Sequence, residues 1–397
     1  MVAAGTLATL LIAALASLFM AWAIGAGSSG STPFAPAVGA NAISVMRAGL
    51  IVGVLGFLGA VLQGANVTEA VGNELIVGVS ITATAAIVGL ITAAVLVAIG
   101  VFAGYPIATA FTVTGAVVGV GLALGGEPAW GKYREIVALW VATPFVGGFI
   151  AYATARLLRA ERVSERVAVP TLAGLVAALV ANIGFTVLGP PGVQRSLAGL
   201  ASDALALPDA AGRLAVTVAF SVLAALALFR DMRRDQARGQ RRFLLVLGGL
   251  VAFSAGGSQV GLAIGPLVPL IGGEGADVQV PLIAVLVGGG LGLLAGSWTG
   301  APRMIKALAQ DYSSLGPRRS IAALIPSFAI AQTAVAFGIP VSFNEIIVSA
   351  IIGSGYAAGG AGVSTRKMGY TVLAWVGSLA LALGVGYGAF TVVDAVL

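Results

Sequence analysis

The sequence contains no cysteine and no histidine among its 397 residues. These absences exclude disulfides, thiolate nucleophiles, imidazole bases and the usual zinc ligands. Charge is also scarce, since Asp, Glu, Lys and Arg together make up 9% of the chain. A membrane-embedded enzyme would need a nucleophile with a base, or paired acids inside the apolar segments, and the sequence offers neither. We therefore expect that the protein is not an enzyme.

Apolar residues are abundant instead, at 59% of the chain with a mean hydropathy of +1.04. Runs of about 20 apolar residues recur throughout, which is typical of membrane-spanning helices. The first 24 residues carry no charge, whereas a secretory signal begins with a positive region, so we expect a retained first span. The pattern predicts an all-α polytopic membrane protein with about twelve segments, at residues 4–24, 45–64, 75–101, 105–124, 135–155, 168–189, 211–229, 243–271, 280–297, 319–338, 340–357 and 369–390.

Arginine is concentrated in two loops of the predicted topology. Loops rich in Lys and Arg stay in the cytoplasm, and two predicted spans separate these loops, so both can lie there. Counting spans outward then places the N- and C-termini outside the cell membrane. The alternative for these arginines is a site for a nucleotide or a regulator. The two clusters are Arg156, Arg159, Arg162 and Arg166, and then Arg230, Arg233, Arg234, Arg238, Arg241 and Arg242.

The two ends of the chain resemble each other. AWAIG at 21–25 leads into a loop rich in Ser and Gly, as does AFSAGGSQVGLAIGP at 252–266. A Gly-x-Pro follows in each half, at 104 and 338. Seven predicted passes separate equivalent points, and an odd number predicts two inverted-topology repeats with broken or re-entrant helices. We expect repeats at 1–155 and 243–397, joined by linking helices at 156–242, which is typical of a secondary transporter with a site at the membrane midplane.

The first interruption, IGAGSSGSTPFAPAVG from residue 24, contains two prolines that stop a helix. Backbone groups released there must face protein or a wet cavity, because lipid cannot bind them. A half-helix starting in this region would favour an anion at its N-terminus. The alternative is that the small residues only allow close helix packing. Polar candidates for substrate binding are Ser28, Ser29, Ser31 and Thr32 in the first loop and Ser254, Ser258 and Gln259 in the second.

The Gly-x-Pro segments add further polar candidates, namely Thr109 in the first half and Ser342 and Asn344 in the second. Glu345 is the one acid that falls well inside a predicted apolar segment. Buried ionisable groups at membrane depth are costly and usually functional, so Glu345 is our candidate for carrying a proton or a cation. The alternative is that Glu345 lies near the interface and is solvated.

The pattern resembles the inorganic phosphate transporter family over nearly the whole chain. The family signature, Gly-Ala-Asn-Asp-Val-Ala-Asn, occurs twice and aligns without gaps with GAGSSGS at 25–31 and GGSQVGL at 256–262. Further similar stretches are GAVLQGANVTEAVGNELI from residue 59 and GAPRMIKALAQDYSSLGPRR from residue 300. The resemblance implies a permease for a tetrahedral inorganic oxyanion.

Both signature aspartates are absent, and Ser28 and Gln259 stand in their places. In the family, those aspartates are associated with sodium and phosphate. Loops of Gly, Ala and Ser without Asp also resemble those of the family's sulfate-permease branch. Phosphate keeps a proton near neutral pH, so a carboxylate can accept a hydrogen bond from it, whereas sulfate only accepts. The loops offer donors and no acid. The substrate therefore stays open between phosphate and sulfate, and the coupling ion between Na+ and H+.

We expect alternating access rather than ATP hydrolysis, because no phosphate-binding loop of the nucleotide-hydrolysing kind occurs in the sequence. A passive anion channel on the same architecture is the alternative function. Beyond the coupling ion we expect no cofactor and no nucleic-acid partner. The lipid bilayer and the oxyanion are the expected partners, and a homodimer is compatible with the glycine-rich helix faces.

Overall fold

The computed structural model describes residues 4–185, 188–189, 193–271, 279–360 and 363–396. The described chain is almost entirely helical, and its four two-residue strands form two small antiparallel pairs, β1 (Ile76–Val77) with β2 (Glu127–Pro128) and β3 (Gly184–Phe185) with β4 (Arg195–Ser196). The helices are α1 (Ala4–Ile24), α2 (Ala35–Gly39), α3 (Val45–Gln63), α4 (Ala65–Asn73), α5 (Ala83–Ala103), α6 (Thr109–Ala123), α7 (Trp130–Arg159), α8 (Glu165–Asn182), α9 (Leu197–Ala204), α10 (Asp209–Arg234), α11 (Gln236–Ile264), α12 (Val268–Ile271), α13 (Leu282–Thr299), α14 (Ala301–Gln310), α15 (Pro317–Ala336), α16 (Phe343–Tyr356) and α17 (Thr365–Val396).

Ten helices of the described chain are long and apolar enough to cross a membrane. Their outer faces carry large apolar side chains, among them Phe145, Phe149 and Leu373, each about 70% exposed. Side chains of this kind face lipid in a membrane protein, because no other element of the described chain covers them. The prediction of an all-α polytopic membrane protein is therefore confirmed.

Two of the twelve predicted segments contain shorter helices. The helix α6 has 15 residues and α16 has 14, which at 1.5 Å per residue gives roughly 21–23 Å. The hydrocarbon core of a bilayer is about 30 Å thick, so neither helix spans it alone. Each follows a Gly-x-Pro segment without helical structure, at residues 105–108 and 339–342. The prolines keep the helices from starting earlier, and α6 and α16 are thus half-helices.

Helix contacts come in matched pairs between the two ends of the chain. The helix α1 packs on α5 and α13, and α11 packs on α15 and α3. Likewise α7 packs on α16, and α17 packs on α6. The helices α8, α9 and α10 lie between these groups and pack mainly on each other. The sequence boundaries at 155 and 242 fall inside α7 and α11, because both helices continue into their Arg-rich ends.

Glycines set the closest of these helix contacts. A Cβ atom added at Gly59 of α3 would lie 1.8 Å from the backbone oxygen of Phe253 in α11. A Cβ atom added at Gly296 of α13 would lie 2.0 Å from the backbone oxygen of Trp22 in α1. Small residues allow backbones in a membrane to approach this closely. Close glycine–backbone contacts therefore join α3 to α11 and α13 to α1.

We expect Gly296→Ala to destabilise the protein by about 1–3 kcal/mol, because α1 and α13 must separate to admit the methyl group. Gly377→Ala in α17 is the matched control, since its Cβ atom would meet no atom within 4 Å and alanine favours the helix. Thermal unfolding in detergent, followed by tryptophan fluorescence, measures both. Equal unfolding temperatures for the two variants would contradict the assigned contact.

Candidate functional site

The first predicted interruption is present. The helix α1 ends at Ile24 and passes into a single π-helical turn, Gly25–Ser29, before α2 begins at Ala35. All five residues of this turn are buried. Isolated π-helical turns occur frequently at functional sites. The expected helix break is therefore present, but it follows Ser29, because signature residues 25–29 continue α1 as a helical turn and do not form a loop. The helix after the break, α2, has only five residues.

The second signature was expected in a similar loop, and this expectation is wrong. Residues 254–259 lie inside the continuous helix α11, which ends at Ile264 and is followed by a 3-10 turn, Gly265–Leu267. No proline precedes Pro266 in this region, and glycine alone weakens a helix without ending it. Gly256 instead serves packing, since an added Cβ atom would lie 1.8 Å from the backbone oxygen of Gly56.

The two signatures meet at a buried cluster of three side chains, Ser28, Thr109 and Gln259. The Thr109 hydroxyl donates to Gln259 Oε1 at 2.7 Å, and the Ser28 hydroxyl donates to the same oxygen at 3.2 Å. The two hydroxyl oxygens are 3.4 Å apart. None of the three residues is exposed to solvent. The structure thus brings together one candidate from each signature and one from the first Gly-x-Pro segment.

Side-chain amides bind the carbonyl groups that follow the two prolines. Gln259 Nε2 donates to the oxygen of Val341 at 2.5 Å. Asn344 Nδ2 donates to the oxygens of Ile107 at 2.7 Å and of Gly27 at 2.9 Å. Hydrogen bonds of this kind satisfy backbone groups that a broken helix leaves without partners. The candidates Gln259 and Asn344 therefore position the loops as well as lining them.

Two tryptophans complete this arrangement. Trp375 of α17 donates to the oxygen of Pro106 at 2.8 Å, and Trp140 of α7 donates to the oxygen of Pro340 at 2.8 Å. Each indole reaches the Gly-x-Pro segment of the opposite half of the chain. Neither is a candidate from the sequence, because a tryptophan in an apolar helix gives no sign of its hydrogen-bond partner. Their indole N–H groups fix the starting points of α6 and α16.

The half-helices begin beside the cluster with free backbone donors. The extended residue Ala108 precedes α6 and the extended residue Ser342 precedes α16. The first intrahelical bonds are those of the Thr112 and Ile346 N–H groups. The N–H groups of the preceding helical residues have no carbonyl partner within their helix, and the helix dipole adds positive potential there. These two N-termini favour a negatively charged ligand.

Several other candidates are buried without a hydrogen-bond partner among the described residues. These atoms are the hydroxyls of Ser29, Ser258 and Ser342, the Asn344 Oδ1 oxygen and the Glu345 Oε2 oxygen. Buried polar groups normally have partners, so these unpaired atoms are candidates to bind a ligand. Glu345 is 2% exposed, which is contrary to the alternative that it is solvated at the interface. It is the third residue of α16.

The hydroxyl groups of three further candidates are hydrogen-bonded to nearby groups of the protein. Ser31 and Thr32 both donate to the backbone oxygen of Ser28, at 3.2 and 3.0 Å, and so close the turn after the π-helical residues. Ser254 lies in a separate cluster, where it accepts from Gln332 Nε2 at 2.6 Å and donates to Leu250. The structure does not bring Ser254 into hydrogen-bond contact with Ser28 or Gln259.

Two residues of this second cluster were missed in the sequence. Gln332 Nε2 also donates to Gln63 Oε1 at 3.1 Å, and Gln63 donates to the backbone oxygen of Gly184 at 3.0 Å. Both glutamines lie alone in apolar helices, α15 and α3. A lone amide in a spanning helix was the available signal, because such a group needs a partner inside the protein.

The described residues contain no group of three or more acidic, His or Cys side chains placed to hold a metal ion. The site is instead composed of hydroxyls, amides and helix N-termini, with Glu345 as its one acid. Such a donor set can bind an oxyanion by hydrogen bonds without a metal.

Comparison with known proteins agrees with this chemistry. Residues 24–386 match the model of the phosphate transporter family. The chain is 29% identical to a predicted phosphate permease of Pyrococcus furiosus, over 92% of each protein. It is 24% identical to the chloroplastic inorganic phosphate transporter 2-1 of Arabidopsis thaliana, over 91% of this chain and 68% of that protein.

A solved structure shows the same fold. The chain matches a structure described as the sodium-dependent phosphate transporter with a TM-score of 0.82, over 98% of this chain and 100% of that one. Sequence identity between the two is 24%. The half-helices, the broken first helix and the long α11 thus belong to an architecture that is known from a solved protein.

We expect Gln259→Met to lower stability by about 1–3 kcal/mol, because it removes the acceptor that the Ser28 and Thr109 hydroxyls share and leaves the Val341 oxygen without its side-chain donor. Methionine keeps the approximate length of the side chain, so packing changes little. Gln310→Met is the control, since Gln310 is exposed at the end of α14. Thermal unfolding in detergent compares them. A Gln259→Met protein as stable as the control would contradict the hydrogen-bonded cluster.

Proposed function

The chain belongs to the phosphate transporter family, a family of permeases rather than enzymes, and from this premise we propose that it moves inorganic phosphate across the cell membrane by alternating access, driven by a coupling ion. The expectation that the protein is not an enzyme is confirmed by the family. The observation that carries the proposal is the buried cluster of Ser28, Thr109 and Gln259 beside two half-helix N-termini.

Phosphate fits this donor set. A phosphate ion near neutral pH presents several acceptor oxygens, and the unpaired hydroxyls of Ser29, Ser258 and Ser342 can donate to them. The N-termini of α6 and α16 supply backbone N–H groups and favourable potential. Hydrogen bonds to a charged group contribute about 1.5–3 kcal/mol each, so a few suffice for selective binding.

Sulfate is the second candidate substrate. The cluster of Ser28, Thr109 and Gln259 contains no carboxylate, although the family signature has an aspartate at two of these positions. An acid in direct contact would repel a fully ionised oxyanion, and its absence favours one. Glu345 at the start of α16 is the one buried acid in the described part of the chain, and it could still accept the proton of a phosphate.

The contacts of α1 with α5 and α13 match those of α11 with α15 and α3, and the contact of α7 with α16 matches that of α17 with α6. These matches support two structural repeats that rock against each other. Inverted repeats with broken helices are the usual basis of alternating access. In this arrangement Ser28 and Thr109 belong to one repeat, and Gln259, Ser342 and Asn344 belong to the other. Relative movement of the repeats would therefore open the site to one side at a time.

The charge distribution supports the proposed orientation. Because consecutive spans alternate in direction, the Arg-rich ends of α7, α10 and α11 fall on one side of the membrane. Of the 21 Lys and Arg residues, only Lys132, Arg134, Arg195 and Arg213 fall at the opposite ends of the helices. This bias supports an orientation with the Arg-rich loops in the cytoplasm and both termini outside. A homodimer remains a prediction.

Uptake of radiolabelled phosphate and sulfate into proteoliposomes tests the proposal. Proton and sodium gradients are imposed in separate arms. Saturable uptake with accumulation of phosphate against its gradient supports a permease. Faster uptake of sulfate than of phosphate would identify sulfate as the substrate. Large conductance without saturation would favour the alternative of a passive channel. Empty liposomes give the background.

We expect Ser258→Ala to weaken phosphate affinity by about 10- to 100-fold, because it removes an unpaired donor to a charged ligand. We expect Ser28→Ala to weaken it as well, because Gln259 loses one of the hydroxyls that position it. Thr112→Val is the matched control, since Thr112 is as buried as Ser258 but its hydroxyl donates to the oxygen of Ala108 within α6 and contacts no other residue of the cluster by a hydrogen bond. Half-saturation of uptake and equilibrium binding are measured on folded protein. Unchanged affinity in both serine variants would refute the loop assignment.

We expect Glu345→Gln to uncouple transport, so that an imposed proton or sodium gradient no longer drives accumulation while phosphate exchange continues. A buried carboxylate needs a cation or a proton, and the amide needs neither. Glu127→Gln is the control, since Glu127 is exposed in β2. Undiminished gradient-driven accumulation in Glu345→Gln would remove Glu345 from the coupling mechanism.

A further inference from the structure

An open groove lies between α8, α10 and α11, away from the buried cluster. Its volume is about 610 Å³, and its walls are apolar along most of their length, with Val176, Val180, Phe220, Val246 and Leu250 among them. The helix α10 is the least buried of the ten candidate spans. The groove therefore opens toward the hydrocarbon of the bilayer and not toward the transport site.

One end of the groove is strongly basic. Arg230, Arg234 and Arg242 line it together with Asp231. Arg242 forms an ion pair with Asp231 at 2.6 Å, and no ion pair among the described residues involves Arg230 or Arg234. Two guanidinium groups at the mouth of an apolar groove are thus left without a carboxylate. Guanidinium groups bind phosphate oxygens through paired N–H donors.

The dimensions match one leaflet of a bilayer. Ten residues of α10 separate Phe220, at the apolar end, from Arg230, which gives about 15 Å of helix. Half of a hydrocarbon core of about 30 Å has the same depth. Arg230 and Arg234 therefore lie at headgroup level when Phe220 lies near the midplane. An acyl chain in the groove would place its headgroup phosphate beside the two arginines.

We propose that this groove is a binding site for an anionic glycerophospholipid, whose acyl chain fills the apolar trough and whose phosphate group binds Arg230 and Arg234. The occupant is a lipid rather than a second protein chain because the uncompensated charge lies at headgroup depth and the trough has the length of one leaflet. A bound lipid would join α10 to α8 and α11, and so anchor the linking helices between the two repeats.

Native mass spectrometry of the full chain in detergent tests the proposal. Phosphatidylglycerol and phosphatidylcholine with identical acyl chains are titrated separately. Removing both charges with Arg230→Gln and Arg234→Gln should weaken phosphatidylglycerol binding roughly 30-fold, at the usual contribution of a basic residue near anionic lipid. The double variant Arg156→Gln with Arg162→Gln removes the same charge from exposed positions outside the groove and should change the affinity less than threefold.

A second variant tests the apolar part of the site. Ala227 lines the groove and is exposed, so Ala227→Phe obstructs the trough without crowding the protein core. It should reduce phosphatidylglycerol binding while the arginines remain. Ala219→Phe, on an exposed position of α10 outside the groove, is the control. Because lipid binding is measured without transport, its outcome is independent of the phosphate uptake assay.

Three results would overturn the proposal. Equal loss of phosphatidylglycerol binding in the two double arginine variants would reduce the effect to general charge attraction. Undiminished phosphatidylglycerol binding by Ala227→Phe would show that the lipid does not occupy the groove. A dimer that Ala227→Phe dissociates, with lipid binding unchanged, would identify a second copy of the chain as the occupant.

Discussion

Backbone groups released by a helix break have no water to bind inside a bilayer, and the centre of this protein is organised by that constraint. Each Gly-x-Pro segment exposes two consecutive carbonyl groups, those of Pro106 and Ile107 in the first segment and those of Pro340 and Val341 in the second. Each of the four accepts a side-chain N–H group at 2.5–2.8 Å. The donors are Trp375, Asn344, Trp140 and Gln259. Without them the starts of α6 and α16 would carry unpaired backbone oxygens at membrane depth.

These donors divide the backbone groups of each break into two classes. The carbonyl oxygens are bound by protein, whereas the N–H groups of the first turns of α6 and α16 are left for a ligand. An anion therefore meets donors and few competing acceptors. Three of the four carbonyl groups also take their donor from the opposite half of the chain, so neither break is complete until α7 and α17 have packed across. The proposed anion site is consequently a property of both halves together.

The sequence could predict those features that depend on local backbone chemistry. Prolines at 33, 36, 106 and 340 lie beside Gly and Ser at helix breaks or helix starts, so the first interruption and the half-helix starts were foreseeable. Proline alone is not sufficient, because Pro144, Pro170 and Pro326 lie inside helices. The second signature was not, since its glycines pack against α3 and do not break α11. Trp140 and Trp375 gave no signal either, because an indole donor looks like an ordinary apolar residue until its partner is known. Gln63 and Gln332 were visible as lone amides, but only the fold places them beside Ser254.

Gln259 explains how the site can exist without the family's signature aspartates. Its amide accepts from Ser28 and Thr109 and donates to Val341. A carboxylate at the same position could accept both hydroxyls but could not donate, so the Val341 oxygen would lose its partner. Compared with an aspartate at this position, Gln259 therefore lacks the negative charge but supplies a structural hydrogen bond to Val341. Glu345 is then the one buried acid among the described residues, and it lies in the first turn of α16, where the helix dipole favours negative charge. In the proposed mechanism, a site of neutral donors with a single acid would hold an oxyanion and a coupling cation together, with the donors facing the anion and the acid facing the cation.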